Sequence, residues 1–323
     1  MFFTLAELEA AAALVHAVMP PTPQFAWPLL AARLGAQVVV KHENHTPVGA
    51  FKVRGGLTYF ERLKRERPQA RGVVSATRGN HGQSLAFAGA RAGVAVTIVV
   101  PRGNSAEKNA AMRAFGAALV EHGRDFDEAK ARAEALAAER GLEYAPSFHK
   151  DLVVGVATYA LELFRAEPAL DAVYVPIGLG SGICGVIGAR DALGLKTRVV
   201  GVVSDRAACY SLSLQRNTLV RTDSALTFAD GMAVRTPDPA ALEIIRRGAE
   251  RVVEVSDDEV AEAIRILFSD THSTAEGAGA AALAGFIKNK TDGEKRVAVI
   301  VTGQNIDRPV MQEVLAGRTP RVA

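Results

Sequence analysis

The sequence has few cysteines: Cys184 and Cys209 are the only two among 323 residues. Two cysteines do not provide a disulfide framework, and this low number is typical of a reducing compartment. The sequence also lacks an apolar run of the ~18 residues that a membrane-spanning helix needs. The pattern of a secretory signal, a basic segment followed by an apolar one, is missing near the start. We therefore expect a cytoplasmic protein that does not bind membranes.

Charge of one sign is not in excess, since 38 basic residues are balanced by 35 acidic ones and the net charge is +3. The densest basic run, residues 62–67, includes Glu66 and follows Glu61, which is typical of a solvated helix face. A nucleic-acid partner would need a clustered basic stripe, so none is expected. His42 and His45 lack helical ligand spacing and no zinc-type cysteine cluster is present, so we expect no protein-bound metal.

The sequence does show a regular alternation of apolar strands and helices, which predicts an α/β fold. Residues 94–100 and 297–301 are continuous valine-rich runs, typical of strands that are covered on both faces. Such strands form parallel sheets with right-handed crossovers, and ligands bind beyond their carboxyl ends. A change of composition near 146–151 indicates a crossing between two lobes.

Capping boxes predict two helix starts, at Thr4 with Glu7 and at Ser256 with Glu259, and Pro20 ends the first helix near Met19. The predicted strands are 36–42, 72–75, 95–100, 117–121, 171–176, 197–203, 251–254 and 296–301. The later predicted helices are 53–66, 80–92, 106–115, 125–140, 152–165, 182–193, 240–249, 257–269, 276–288 and 307–315.

Lys52 lies where a loop enters a helix, because the strand 36–42 precedes it and a helical pattern begins at residue 53. A helix N-terminus disfavours a further positive charge, and burial beside Val48, Phe51 and Val53 would lower the pKa of the amine. A partly neutral lysine can act as a nucleophile. The alternative is a lysine that simply extends to solvent.

Residues 75–83 follow a predicted strand and open a helix with the sequence Ser-Ala-Thr-Arg-Gly-Asn-His-Gly-Gln. A glycine and small polar residues at a helix start present free N–H groups that suit a carboxylate. Asn80 can donate to a phenolate or carboxylate oxygen. The alternative is an ordinary N-cap turn in which His81 is satisfied locally.

Residues 176–185 form a glycine-rich turn between a strand and a helix, and five glycines lie between 178 and 188. Converging amides and the helix dipole make this turn a phosphate site. Gly180, Gly182 and Gly185 also match the dinucleotide fingerprint, with Asp205 following the next strand, so a nicotinamide-dependent dehydrogenase is an alternative.

Two further turns open helices, and the first of them follows the strand 296–301. Thr302 begins Thr-Gly-Gln-Asn, where its hydroxyl can bond a ring nitrogen or an oxyanion. Glu276 begins Glu-Gly-Ala-Gly, where an acid can simply complement the helix dipole. Either turn can also be purely structural.

The order of these motifs resembles the fold-type II pyridoxal-phosphate enzymes, and is most similar to the threonine/serine dehydratase and serine racemase group. The motifs are Gly-Ala-Phe-Lys-Val-Arg-Gly at 49–55, Arg-Gly-Asn-His-Gly-Gln at 78–83, the glycine-rich turn and Thr-Gly-Gln-Asn at 302–305. Lys41-His-Glu-Asn and Ala229-Asp-Gly-Met-Ala-Val extend the resemblance. The dinucleotide interpretation leaves Lys52 and the other loops without a role.

The resemblance implies a two-lobed fold like that of the tryptophan synthase β chain. Residues 1–45 and 147–323 would form a large cofactor-binding domain, and residues 46–146 a small domain with the substrate loop. The resemblance also implies a homodimer or a higher homo-oligomer. The chain ends soon after the last motif, so no regulatory domain is expected.

The resemblance implies that pyridoxal 5'-phosphate is the cofactor. Lys52 would hold it covalently and later act on the substrate Cα proton. Phe51 would pack beside its ring, Asn80 would bond its ring hydroxyl, and Thr302 would face its pyridine nitrogen. Its phosphate would lie on the residues Gly178, Leu179, Gly180, Ser181 and Gly182.

The implied reaction is β-elimination from a β-hydroxy amino acid such as L-threonine or L-serine, giving a 2-oxo acid and ammonia. The substrate carboxylate would be held by Thr77, Gly79, Asn80 and His81. A racemase, a synthase that uses the same cofactor and a non-catalytic amino-acid binder are alternatives.

Arg78 departs from the family pattern, because serine or alanine is usual at this position. In racemases that serine is the second base, and an arginine stays protonated and cannot replace it. We therefore expect little racemase activity. Arg78 could instead bind a second substrate carboxylate, as in 3-hydroxyaspartate, or form a structural salt bridge.

Two other departures concern Ala50, which replaces a common serine, and Val203, which lies where related enzymes often carry a metal-binding glutamate. The first puts fine substrate selection in doubt, and the second argues against a divalent cation. The resemblance does not choose the substrate's side chain or its stereochemistry.

Overall fold

The structure is a computed structural model and describes residues 2–322. Its strands form two sheets, one of six strands and one of four. The strands are β1 (Gln24–Ala26), β2 (Gln37–His42), β3 (Val73–Ala76), β4 (Val96–Val100), β5 (Ala118–Glu121), β6 (Glu143–Tyr144), β7 (Ala172–Pro176), β8 (Arg198–Ser204), β9 (Arg251–Val255) and β10 (Arg296–Val301).

Helices cover both sheets. They are α1 (Leu5–His16), α2 (Pro28–Leu34), α3 (Lys52–Glu66), α4 (Asn80–Ala92), α5 (Ala106–Ala114), α6 (Phe126–Arg140), α7 (Lys150–Ala166), α8 (Ser181–Ala192), α9 (Cys209–Gln215), α10 (Pro239–Gly248), α11 (Asp257–Thr271), α12 (Gly277–Asn289) and α13 (Arg308–Leu315). Two short 3-10 helices lie at Asp205–Ala207 and Asp230–Met232. Within the described part of the chain, no helix combines the length and apolarity needed to cross a membrane.

The large sheet has the strand order β1-β2-β10-β7-β8-β9, and the small sheet the order β5-β4-β3-β6. Every neighbouring pair is parallel except β1 with β2. The β10 strand, the last in sequence, lies between β2 and β7, so the carboxyl ends of these three strands meet at one edge. The predicted α/β class with mainly parallel sheets is confirmed.

All predicted strands and helices are present. Their ends differ by no more than about two residues, except that the first helix ends at His16, three residues before the predicted end near Met19. Both capping boxes form, because Thr4 and Ser256 each accept from the amide of the glutamate three residues later. The elements that sequence reasoning missed are short. They are β1 at an exposed edge, the two-residue β6, and the seven-residue helices α2 and α9, which lack a side-chain cap.

The strands of the small sheet all lie within residues 46–146, and those of the large sheet lie outside that range. The domain boundaries remain a prediction. The helix α3 of the predicted small domain packs closely on α7 of the predicted large domain. A methyl group on Gly55 would lie 2.6 Å from the Leu152 carbonyl oxygen, and one on Gly155 would lie 2.4 Å from the Arg54 carbonyl oxygen. The two helices can approach this closely only because these positions are glycine.

Candidate active site

The loop that carries Lys52 is attached to the end of β10. The Phe51 amide donates to the Thr302 carbonyl oxygen at 2.9 Å, and the Gln304 amide donates to the Gly49 carbonyl oxygen at 2.9 Å. Gly49 has a φ of 68°, which favours glycine. Because β2 and β10 are parallel neighbours, the loops after them meet at the same edge of the sheet. This attachment places Lys52 at the carboxyl ends of the large sheet.

The Lys52 amine lies at the start of α8. Its Nζ donates to Ser181 Oγ at 2.8 Å and lies 5.1 Å from the centre of the Phe51 ring. The Lys52 side chain is half-buried because it borders a cavity, but protein atoms surround its amine. The resulting desolvation lowers the pKa of Lys52 to about 8. The structure therefore gives the lysine the lowered pKa that the sequence predicted.

The glycine-rich turn between β7 and α8 presents unpaired amides. The Cys184 amide donates to the Gly180 carbonyl oxygen at 3.0 Å, whereas the amides of residues 178–183 make no backbone hydrogen bond within residues 2–322. Gly180 has a φ of 100° and caps α8 without a side chain. These amides and the helix dipole form a site for an anion.

Gly178 leaves room for the chain opposite the turn. A methyl group at Gly178 would lie 2.2 Å from the carbonyl oxygen of Gly231. Gly185 has another role, because a methyl group there would lie 3.1 Å from the Ala157 nitrogen on α7. Part of the dinucleotide fingerprint therefore serves helix packing. Asp205, its acidic partner, is exposed and lies outside the residues that line the cavity.

The turn between β3 and α4 lies beside Lys52. The Gly79 amide donates to Thr77 Oγ1 at 3.0 Å, and Gly79 caps α4 without a side chain. His81 Nε2 is buried and has no hydrogen-bond partner within the described residues. Burial, together with the charge of Lys52, lowers the pKa of His81 to about 3, so the imidazole is neutral. The turn offers neutral donors to an anion.

Three charged residues in the site were not predicted as ligand-binding residues. Lys108 Nζ lies 2.6 Å from Asp230 Oδ2 and 3.0 Å from Glu276 Oε2. Burial opposes the charge of Lys108, but the two carboxylates outweigh it and raise the pKa of the lysine. Burial raises the pKa of Glu276, although the nearby charge of Lys108 acts to lower it. Asp230 lies in the motif at 229–234 and Glu276 begins the Glu-Gly-Ala-Gly turn, but neither was predicted to contact a ligand.

All residues that the sequence predicted for cofactor or substrate line one cavity, and the structure brings them together from four loops. They are Phe51, Lys52, Thr77, Arg78, Gly79, Asn80, His81, Gly178, Leu179, Gly180, Ser181, Gly182 and Thr302. Within residues 2–322, no group of three histidine, cysteine, aspartate or glutamate side chains is arranged to hold a metal. Val203 is buried in the apolar core, and Ala50 pairs with Gly303.

Comparison with known proteins gives a consistent result. Residues 17–303 match the family described as pyridoxal-phosphate dependent enzyme. The chain is 34% identical over 297 residues to the L-threonine dehydratase biosynthetic IlvA of Salmonella typhimurium, covering 91% of this chain and 58% of that relative. It is 36% identical over 277 residues to the L-threonine ammonia-lyase of Geobacter sulfurreducens, covering 85% of this chain and 69% of that relative.

A solved structure agrees with the relatives. The processed form of threonine deaminase isoform 2 from Solanum lycopersicum has a TM-score of 0.86 and 30% identity, with 98% of this chain and 95% of that chain covered. The chain spans less than two thirds of the length of the Salmonella relative. The family match covers most of the chain and includes every motif except the last two residues of Thr302-Gly-Gln-Asn. The chain belongs to the family of pyridoxal-phosphate-dependent enzymes.

Proposed function

We propose that this chain is an ammonia-lyase that converts a β-hydroxy amino acid, such as L-threonine or L-serine, to a 2-oxo acid and ammonia. The observation that carries the proposal is the position of Lys52 Nζ, 2.8 Å from Ser181 Oγ, beside the unpaired amides of the glycine-rich turn. A nucleophilic amine next to an anion site suits a phosphorylated aldehyde. The relatives named as threonine dehydratase and ammonia-lyase support the reaction class.

The residues present fit pyridoxal 5'-phosphate. The amides of residues 178–183 would hold its phosphate, because they have no other backbone partner in the described chain. Lys52 would hold it covalently, Phe51 would pack beside its ring and Asn80 would donate to its hydroxyl. Thr302 would offer a neutral hydroxyl to its nitrogen. When bound, the cofactor stabilises negative charge on the substrate Cα.

Lys52 is the residue that we assign to proton transfer at Cα. Its lowered pKa, about 8, makes roughly a tenth of the amine neutral at pH 7, far more than for an ordinary lysine. A neutral amine can accept the Cα proton, and burial favours its neutral form. The same desolvation therefore supports both attachment of the cofactor and proton transfer.

The turn at residues 77–81 is the site that we assign to the substrate carboxylate. Its amides stand at the start of α4, and the unpartnered His81 Nε2 adds a neutral polar group. The helix dipole favours a negative charge there. Loss of the substrate β-hydroxyl and later hydrolysis would yield the 2-oxo acid and ammonia.

A racemase needs a second base on the opposite face of Cα. Arg78 stands where the serine of racemases is usual, and a guanidinium keeps its proton. Racemisation is therefore a less favoured outcome of the same site. Formation of the D-amino acid from the L-amino acid measures it directly.

The test is to incubate the purified protein, loaded with pyridoxal 5'-phosphate, with L-threonine and L-serine and to measure 2-oxo acid and ammonia. Lys52→Ala should lose the visible absorption of the covalently held cofactor and the activity. Lys64→Ala, on the exposed face of α3, is the matched control and should keep both. Absence of 2-oxo acid from every β-hydroxy amino acid, in both stereochemistries, would overturn the proposal.

We also propose a cytoplasmic location and a homo-oligomeric state. The location is supported by the low cysteine number, with both thiols free and buried. The oligomeric state is supported by the family resemblance alone. Light scattering on the purified protein measures the mass of the assembly.

A further inference from the structure

Arg78 has an unmatched charge at the active-site cavity. Apart from the neutral His81, three basic side chains line the cavity, those of Lys52, Arg78 and Lys108. Lys108 is paired with two carboxylates, and Lys52 donates to Ser181. The half-buried Arg78 guanidinium makes no hydrogen bond or ion pair within residues 2–322. A guanidinium stays charged, so this side chain provides a permanent site for an anion.

Nearby acidic side chains do not neutralise Arg78. Asp125 and Asp127 line the larger outer cavity that adjoins the active-site cavity. Arg235 Nη2 lies 3.0 Å from Asp125 Oδ2 and also contacts Asp127. Arg221 Nη2 lies 3.5 Å from Asp127 Oδ2. The other acids that line the outer cavity, Glu134, Asp223 and Asp238, also form no ion pair with Arg78 within the described residues. The charge of Arg78 is therefore not matched by a protein carboxylate.

Arg78 lies at the junction of the two cavities. Six residues line both cavities: Arg78, Phe126, Ser147, Leu179, Ala233 and Val234. Arg78 also belongs to the turn that we assign to the substrate carboxylate, between Thr77 and Gly79. The amides of this turn and the Arg78 side chain border the same cavity, so a ligand with two anionic groups could contact both. The α-carboxylate of the substrate would be bound by the amides and His81, so Arg78 would remain for a second group of the substrate.

We propose that Arg78 binds a second carboxylate, and that the preferred substrates are β-hydroxy amino acids with an acidic side chain, of which 3-hydroxyaspartate is the simplest. This inference rests on the proposed ammonia-lyase function. The planar guanidinium binds a carboxylate through two parallel hydrogen bonds, which a lysine cannot reproduce. Threonine and serine have no group for Arg78 and leave its charge unmatched.

The test compares kcat/KM for threonine, serine and the stereoisomers of 3-hydroxyaspartate in the wild-type holoenzyme and in Arg78→Gln and Arg78→Lys. We expect 3-hydroxyaspartate to be the best substrate and Arg78→Gln to lower its kcat/KM by about tenfold or more relative to threonine, as for loss of a charged hydrogen bond. Arg78→Lys should recover part of the loss. Lys130→Gln removes a positive charge from the outer cavity alone and should not change the preference.

Binding gives a readout that does not depend on turnover. Calorimetry should show that the wild-type holoenzyme binds L-aspartate more tightly than L-alanine, and that Arg78→Gln removes the difference. Equal losses for all substrates in Arg78→Gln, or equal binding of the two amino acids by the wild type, would overturn the inference. Release of 2-oxo acid from threonine or serine in that case would leave the proposed function standing. Absence of turnover with any substrate would contradict the proposed function instead.

Discussion

Asn80 donates a hydrogen bond to Glu276 Oε1 at 2.5 Å, although 196 residues separate the two in sequence. Asn80 Oδ1 accepts from Asn305 Nδ2 at 2.9 Å. A carboxylate only accepts, so these two partners fix which end of the Asn80 amide is the donor. One N–H of the amide remains for a ligand in the cavity. Glu276 is therefore a positioning residue for Asn80, and Lys108 in turn holds Glu276.

Replacing Glu276 should weaken cofactor binding through Asn80. Glu276→Ala removes an acceptor that is charged and buried, and we expect a loss of about 1.5–3 kcal/mol in cofactor binding. Glu276→Gln keeps an acceptor and should lose less. Equilibrium dialysis of pyridoxal 5'-phosphate measures both variants. Unchanged affinity in Glu276→Ala would show that Asn80 does not depend on Glu276.

Gly180→Ala should weaken cofactor binding at the phosphate end. A methyl group there would lie 2.8 Å from the Ala241 side chain, and the φ of 100° already disfavours alanine. Gly194→Ala is the matched control, because Gly194 also has a positive φ, of 66°, but has open space around it. Both variants should lose about 1 kcal/mol of unfolding free energy or more. Only Gly180→Ala should bind the cofactor less tightly, as measured by titration of its absorption.

The rate at which the cofactor-free protein combines with pyridoxal 5'-phosphate should rise with pH with a midpoint near 8. The neutral Lys52 amine is the reactive form, and desolvation lowers its pKa to about 8, so this form increases as pH rises through that value. Stopped-flow absorption measures the rate. A rate that still rises steeply above pH 10 would show an ordinary lysine pKa and contradict the assignment.

Arg54→Met should strongly destabilise the fold. Arg54 is fully buried on α3 and donates to Glu43 Oε2 at 2.8 Å and to Glu162 Oε1 at 2.6 Å. Removing it leaves buried carboxylates without their partner, at a cost of about 3–5 kcal/mol. Arg65→Met on the same helix removes an exposed ion pair and should cost under about 1 kcal/mol. Urea unfolding of the two variants measures the difference.

Acid should destabilise the protein through Glu162. Burial opposes ionisation of this carboxyl, but Arg54 and Lys41 outweigh it and lower the pKa to about 2. The contribution of Glu162 is therefore fully present above the ordinary glutamate pKa of 4.5 and is lost as pH falls from there towards about 2. Urea unfolding at a series of pH values should show this loss. In Glu162→Gln the slope of unfolding free energy against pH should be smaller over the same range.

Much of the fold was predictable because its strands are continuous apolar runs and its helices have clear starts and ends. The strands at 96–100 and 296–301 and the capping boxes at Thr4 and Ser256 are examples of local signals that tertiary structure did not override. The helix at 209–215 was missed because it is short and has no side-chain cap. The edge strand at 24–26 forms by pairing with β2, which its own residues do not indicate.

The residues that line the cavity were predictable where a short sequence motif indicates their role. The glycine-rich turn and the Lys52 loop carry their own signals, because glycine spacing and a lysine before a helix are visible in sequence. The role of Lys108 could not be predicted from sequence, because it depends on Asp230 and Glu276, which are more than 100 residues away. An acid at the start of a helix, as at Glu276, looks the same whether it complements the dipole or lines a site.

The central position of β10 has a consequence for synthesis. The loop that presents Lys52 is attached by hydrogen bonds to residues 302–304, and β10 pairs with β2. Lys52 is therefore synthesised long before the strand against which its loop is held. We expect nascent chains that end before β10 to hold the small sheet without a continuous large one, and to be unable to retain the cofactor. Assembly of the site is then complete only after residues 296–304 have been translated, and a chain that is terminated before residue 296 should not form it.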